Sequence, residues 1–192
     1  MLSRVRQAGV ILAYSILANL HGEKMKKIGI ALGGGGAKGL AHIPMLQVLD
    51  DAGISPVEIA GTSIGAIMGV LYASGKSAKE IRSGIDELTS TPQNLKELMQ
   101  AKQLPGWLDI IGVEIGRSSL LKVDKFLAGL EKVIGVSTFE DLQIPLKVVA
   151  ADFWTREAVV FESGPISPAI AASFALPGIF KPVVRDDRVL VD

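Results

Sequence analysis

Two glycine-bounded turns constrain this chain more than any other feature: Gly33-Gly34-Gly35-Gly36-Ala37-Lys38-Gly39, and after it Gly61-Thr62-Ser63-Ile64-Gly65. Each follows an apolar run with the character of a buried strand, Lys27 to Leu32 before the first and Val57 to Ala60 before the second. Each opens a helical pattern, Leu40 to Ala52 and Ile64 to Ser74, closed by Gly53 and Gly75. A strand, a tight turn and a helix, met twice in succession, indicate a layered α/β fold with a mainly parallel sheet. The second turn sets one serine on a sharp bend, where Gly61 and Gly65 remove side chains that would collide. The helix that follows is almost wholly apolar, so the bend sits at the edge of a packed interior and the helix dipole favours negative charge at Ser63. The first turn is a run of N–H groups bare of side chains, as stabilising an oxyanion requires.

The rest of the chain continues the alternation. Ser77 to Leu88 reads as a helix with Ser77 at the N-cap and Glu80 completing a capping box. Thr89 to Gly116 is broken by Pro92, Pro105 and Gly106, and with Trp107 and Leu108 it has the character of a lid or binding loop. Leu120 to Ile134 is an amphipathic helix, and Leu146 to Asp152 and Ala158 to Phe161 are strands joined by the polar Thr155-Arg156-Glu157 turn. Pro168 to Leu176 is a small-residue helix stopped by Pro177-Gly178, and a last strand, Arg188 to Val191, runs into Asp192.

Composition narrows the chemistry. Lys plus Arg and Asp plus Glu number 20 each, so the chain has no basic footprint for nucleic acid. With no cysteine and two histidines, His21 and His42, disulfides and thiolate metal sites are excluded and an imidazole site has little to draw on. Gly34, Gly36 and Gly39 fit the spacing of a dinucleotide fingerprint, but the next strand ends in Ala60-Gly61 where that motif needs an acid. A phosphate loop needs Gly-Lys-Ser/Thr, and Lys38 lies instead between Ala37 and Gly39. An oxyanion site explains the run better, with Lys38 adding positive charge.

A serine hydroxyl needs a base, and no histidine follows Ser63. His42, upstream on the first helix, reads as a packed or capping histidine. The other candidates are carboxylates at strand ends, Asp152, which also reads as a cap on the turn that follows it, and Asp192; such ends are expected on the rim of a parallel sheet where the strand-to-helix turns also lie. A serine–aspartate dyad is the economical reading.

Taken together, these motifs resemble the patatin-like phospholipases over about Lys26 to Asp192. Gly34-Gly35-Gly36-Ala37-Lys38-Gly39 is similar to the family's oxyanion motif, and Gly61 to Gly65 to its nucleophile elbow. Ala150-Ala151-Asp152, Val159-Val160-Phe161, Ala169-Ile170-Ala171-Ala172-Ser173 and Pro177-Gly178-Ile179-Phe180 match in order between them and the end. The resemblance implies a layered α/β/α patatin-like fold and a lipid acyl hydrolase that works without metal or organic cofactor. Its nucleophile would be Ser63 and its base Asp192, the residue opening the family's Asp-Gly-Gly/Ala motif. The amides of Gly34, Gly35 and Gly36 would hold the oxyanion, with Lys38, Gly39, Gly61 and Gly65 as supporting motif residues.

A lipid or phospholipid ester is the implied substrate, and contact with a membrane surface would be peripheral. An aspartate often precedes the family's glycines; here it is Gly33. The glycines that should follow Asp192 are absent because the chain stops, so residues 26–192 are expected to form a domain incomplete at its C-terminus. The alternative is a lipid-binding fragment of the same fold with weak or no activity. Residues 1–25, with Arg4 and Arg6 before an apolar stretch from Ala8 to Leu20, read as an extension outside the domain. A flexible or interfacial helix there fits a cytoplasmic chain peripheral to the membrane, with a signal-like segment and export as the competing reading.

Overall fold

The structure is a computed structural model, and it describes residues 27–89 and 119–192. The N-terminal segment and most of the irregular 89–116 connection, Trp107 and Leu108 among it, lie outside the described residues. The architecture is mixed α/β around a six-stranded sheet. Strands β1 (Gly29–Leu32), β2 (Glu58–Thr62) and β3 (Leu146–Asp152) run parallel in that order. Between β1 and β2 lie a 3-10 turn (Gly36–Ala41) and helix α1 (His42–Asp51). Helices α2 (Ile64–Ala73), α3 (Ala78–Thr89) and α4 (Ser119–Ile134) fall between β2 and β3.

Beyond β3 the direction changes. Strand β4 (Ala158–Phe161) returns antiparallel on β3, and helix α5 (Ile166–Ser173) leads to the hairpin of β5 (Val183–Arg185) and β6 (Arg188–Val191). The hairpin turns on Asp186 and Asp187, both with positive φ, 51° and 58°, the pair of values a two-residue I′-type turn requires. Strand β5 has no counterpart in the sequence reading, where Asp-Asp carries a weaker hairpin signal than Asn-Gly or Asp-Gly.

The edges of β3 decide where the site forms. Val148 and Val149 pair with β2 on one edge and with β4 on the other. Ala151 pairs with Ala158 of β4 and with Val191 of β6, so β6 lies along the same edge as β2, beyond the point where β2 ends. The two strands run head-on: β2 stops at Thr62 opposite Val149, and β6 stops at Val191 opposite Ala151. That leaves a notch at Ala150 alone, a span of two residue steps or about 7 Å at the usual strand rise.

The helices packed on the sheet cover the face bearing Leu32, Ile59, Leu146 and Val148, each at most 3% exposed. Helix α2 is central to this layer, with eight of its ten residues buried, in accord with its apolar sequence. At Gly69 an added Cβ would lie 3.1 Å from Leu146 and 3.2 Å from Ile59, so a small residue lets α2 settle close to the sheet. Asp50 ties the outer helices to it, accepting from the Tyr72 hydroxyl at 2.7 Å and from the Ala78 N–H at 2.7 Å. Helix α3 opens with the expected capping box: Ser77 Oγ accepts the Glu80 N–H at 3.2 Å and Glu80 takes the Ser77 N–H at 2.8 Å. The other sheet face carries Lys147 between Glu58, at 2.8 Å, and Glu162, at 3.7 Å.

Two boundaries move for physical reasons. The helix expected from Leu40 is preceded by a 3-10 turn, so the α-helix proper begins at His42 and Pro44 falls in its first turn, where no N–H is needed. Helix α5 likewise starts at Ile166, ahead of Pro168, and ends at Ser173.

Candidate active site

Ser63 is the junction between β2 and α2. Its carbonyl accepts the N–H of Ala66 at 2.9 Å, which starts the helix, while its own backbone sits at φ 53°, ψ −130°. That conformation is one that residues with a Cβ rarely adopt, and it turns the chain sharply enough to aim the side chain outward from the sheet edge. The turn closes only because its flanks lack side chains. A Cβ on Gly65 would stand 2.1 Å from the Leu32 carbonyl oxygen, and one on Gly61 2.6 Å from the Gly65 carbonyl oxygen. Gly39 plays the same part between the turns, where a Cβ would fall 2.4 Å from Ile64.

The glycine run lies over this elbow. A Cβ on Gly34 would be 3.2 Å from that of Ser63, so the Gly34 backbone passes directly beside the serine. Gly33 to Gly36 are exposed, whereas Ser63 beneath them is 8% exposed. Among the described residues, no acceptor takes the N–H of Gly34 or Gly35. Lys38 bends the loop back, its N–H bonded to the Gly35 carbonyl at 3.2 Å, and its side chain is exposed with no ion-pair partner among the described residues. His42, read from sequence as a packing or capping residue, has a more particular place: its Nε2–H donates to the Gly33 carbonyl at 2.8 Å, clasping the start of the loop.

The two strand-end carboxylates part company here. Asp152 is 5% exposed, and its Oδ1 accepts the N–H groups of Trp154 at 2.9 Å and Thr155 at 3.3 Å, so it shapes the β3–β4 turn. Asp192 stands in the notch, and Ser63 Oγ donates to its Oδ2 at 2.5 Å. Partial burial pushes the Asp192 carboxyl above the ordinary aspartate range, and the Ser63 hydroxyl draws it part of the way back. It reaches this position by a route that parallel-sheet reasoning does not contain. The strand that delivers it is antiparallel, and its end meets the end of β2 because both occupy one edge of β3.

Sequence reasoning passed over the hydroxyl of Ser173, which is fully buried at the end of α5. It accepts the Ser63 N–H at 2.9 Å and donates to the Val149 carbonyl at 2.6 Å. The only sequence sign of it is a serine interrupting an otherwise apolar, small-residue helix face.

Fold and elbow together define an α/β protein with an acid-paired serine on a strand-to-helix turn. The chain belongs to the patatin-like phospholipase family, whose sequence model matches residues 30–192. It is 32% identical over 173 residues to an uncharacterized NTE family protein of Mycobacterium tuberculosis, covering 90% of this chain and 44% of that one. It is 29% identical over 168 residues to the neuropathy target esterase sws of Drosophila melanogaster, covering 86% of this chain and 11% of that one. The chain thus spans less than half the length of these curated relatives. Among solved structures it is similar in fold to VipD from Legionella pneumophila, with a TM-score of 0.56 and 18% identity over 88% of this chain and 46% of that one. The type III effector protein ExoU aligns with a TM-score of 0.50 and 24% identity, over 80% of this chain and 41% of that one. Among the described residues no helix is long and apolar enough to cross a membrane.

Proposed function

We propose that this chain hydrolyses lipid esters through Ser63 as nucleophile and Asp192 as general base. The observation that carries the reading is the 2.5 Å hydrogen bond from Ser63 Oγ to Asp192 Oδ2 on a strained elbow. Asp192 takes the hydroxyl proton as the Oγ–carbon bond forms at the ester carbonyl, and the π electrons move onto the carbonyl oxygen. The N–H groups of Gly34, Gly35 and Gly36 are assigned to that oxyanion, a role that suits free donors beside the nucleophile. Collapse breaks the carbon–alkoxide bond, and the leaving alcohol takes the proton from Asp192. Water then attacks the acyl-serine and gives its proton to the same carboxylate. The second tetrahedral intermediate breaks its carbon–Oγ bond, Asp192 returns the proton to Oγ, and the fatty acid leaves. An aspartate whose carboxyl lies above its ordinary range suits both halves of this cycle, being a stronger base when ionised and still an acid when protonated.

The substrate is proposed as a lipid or phospholipid ester by analogy with the family, approached at a membrane surface. The test is labelling with a fluorophosphonate probe, followed by turnover of short-chain esters and phospholipids. Wild type should label, Ser63→Ala should not, and Asp192→Asn should label about 100-fold to 10,000-fold more slowly, the usual range for loss of a general base. Equal labelling of wild type and Ser63→Ala would refute the assignment. Stable binding to phospholipid vesicles without labelling or turnover would favour the lipid-binding alternative.

A further inference from the structure

The C-terminal end of α5 holds the main chain of both members of the Ser63–Asp192 pair. Ser173 Oγ accepts the Ser63 N–H at 2.9 Å, and two residues further on the Ala175 carbonyl accepts the Asp192 N–H at 3.1 Å. Neither contact belongs to a strand ladder. The ladder between β2 and β3 ends with Thr62 opposite Val149, and at the turn the Ser63 N–H goes to the Ser173 hydroxyl, not to a β3 carbonyl. Ser173 supplies the acceptor that the sheet does not, and it hands its own proton to Val149 at 2.6 Å, the residue where that ladder stops.

The helix end is well placed to act as a fixed reference. Ile166, Ala169, Ile170 and Ala172 are at most 1% exposed, which leaves α5 little room to shift against the sheet. The Phe174 N–H bonds the Ile170 carbonyl at 3.0 Å and the Ala175 N–H bonds the Ala172 carbonyl at 3.3 Å, so the segment between the two contacts is itself hydrogen-bonded. Ser173 is 0% exposed and both of its bonds are to main chain, so it touches neither a substrate nor a reacting atom.

We infer that Ser173 is a positioning residue: its hydroxyl fixes the backbone of Ser63 and, with the Ala175 carbonyl on the same helix end, sets the separation of nucleophile and base. This inference rests on the hydrolase reading of Ser63 and Asp192. A serine that merely satisfied buried polar atoms would predict otherwise, because the Val149 carbonyl keeps a second donor, the Thr62 hydroxyl at 3.2 Å. Removing either hydroxyl would then leave the labelling rate and kcat of the folded protein near wild type, whatever it did to the melting temperature. A positioning role makes them unequal, since only Ser173 bonds the Ser63 N–H.

The experiment compares Ser173→Ala, Ser173→Cys and Thr62→Val in the full chain, reading fluorophosphonate labelling rate, kcat and KM on a soluble ester, and melting temperature. Ser173→Ala should lose about 10-fold to 100-fold in labelling rate and kcat, as misplacement of a reacting group does, with KM changed less than about 2-fold. Ser173→Cys, of similar size but a weak acceptor, should follow it, and Thr62→Val should stay within about 3-fold of wild type. A Ser173→Ala protein that folds and labels like wild type would overturn the inference, as would equal losses in Ser173→Ala and Thr62→Val. Should both Ser173 variants fail to fold, amide hydrogen exchange in wild type decides: a Ser63 N–H exchanging as fast as an unprotected amide overturns the inference, and strong protection supports it. A wild type that neither labels nor turns over would instead bring down the hydrolase reading beneath it.

Discussion

Replacing Ser63 by glycine should make the protein more stable than replacing it by alanine. Both substitutions delete the hydroxyl and its bond to Asp192, so that loss cancels between them. What differs is the Cβ. At φ 53°, ψ −130° a residue with a Cβ carries strain of about 2 kcal/mol, within the range of roughly 1–3 found for such positions, and glycine carries almost none. Glycine also loosens the unfolded chain, which gives back about 0.7 kcal/mol. The balance is about 1 kcal/mol in favour of Ser63→Gly, or a melting temperature higher by about 2–4 °C for a chain of this size.

The assay is thermal or urea unfolding of the two variants side by side, with circular dichroism to show that both keep the fold. A Ser63→Gly protein that melts at or below Ser63→Ala would refute the claim that strain is stored at the elbow. The same outcome would remove one support from the nucleophile assignment, because a relaxed serine at this position would be no more than a helix cap.

Two further outcomes follow from the structure. Burial places the Asp192 carboxyl above its ordinary range, so the folded state binds that proton more tightly than the unfolded chain does. The stability from this group is therefore fully present below the ordinary aspartate pKa and lost as pH rises through the raised value. Urea titrations of wild type and Asp192→Asn should agree in acid and diverge toward neutral pH, with wild type the less stable; a gap independent of pH would contradict this. Glycine substitutions should differ in sign by position. Gly65→Ala drives a Cβ to 2.1 Å from the Leu32 carbonyl oxygen and should cost about 3 kcal/mol, whereas Gly84→Ala, on the exposed middle of α3 with no atom near its Cβ, should gain about 0.5–1 kcal/mol in the same denaturation assay.

The two turns were legible in the sequence because their physics is local. Glycines at 61 and 65 mark a backbone crossing too close for a Cβ, and the structure shows Gly65 against the Leu32 carbonyl. The parallel run of the first strands was legible for a similar reason, since strand-turn-helix alternation favours a parallel sheet. What sequence could not carry was pairing between distant strands. Nothing in Arg188-Val189-Leu190-Val191 states that it pairs antiparallel with β3, and rim logic for parallel sheets offered both Asp152 and Asp192 as strand-end carboxylates. The family resemblance preferred Asp192, and the hydrogen bonds set the two apart, Asp152 capping its own turn while Asp192 stands beside Ser63. Ser173 was hidden for the same reason: its partners Ser63 and Val149 lie 110 and 24 residues away.

The head-on meeting of β2 and β6 also accounts for the kind of side chain that stands beside Ser63, the base of the proposed reaction. A base held on a loop must reach the serine across the width of a cleft, which suits a long side chain such as histidine. Here the sheet itself brings the two main chains to the same edge of β3, with Ala150 alone between their last paired positions. Across so short a gap a carboxylate on a single methylene is long enough, and its contact with Ser63 Oγ at 2.5 Å leaves no room for a ring between them. The shortness of the link has a consequence for precision: a short side chain has few torsions with which to correct an error in backbone position. The distance must then be held by the main chain, which is where the two contacts from the end of α5 fall. Absence of a histidine and presence of a buried hydroxyl behind the elbow are, on this argument, two results of one strand register.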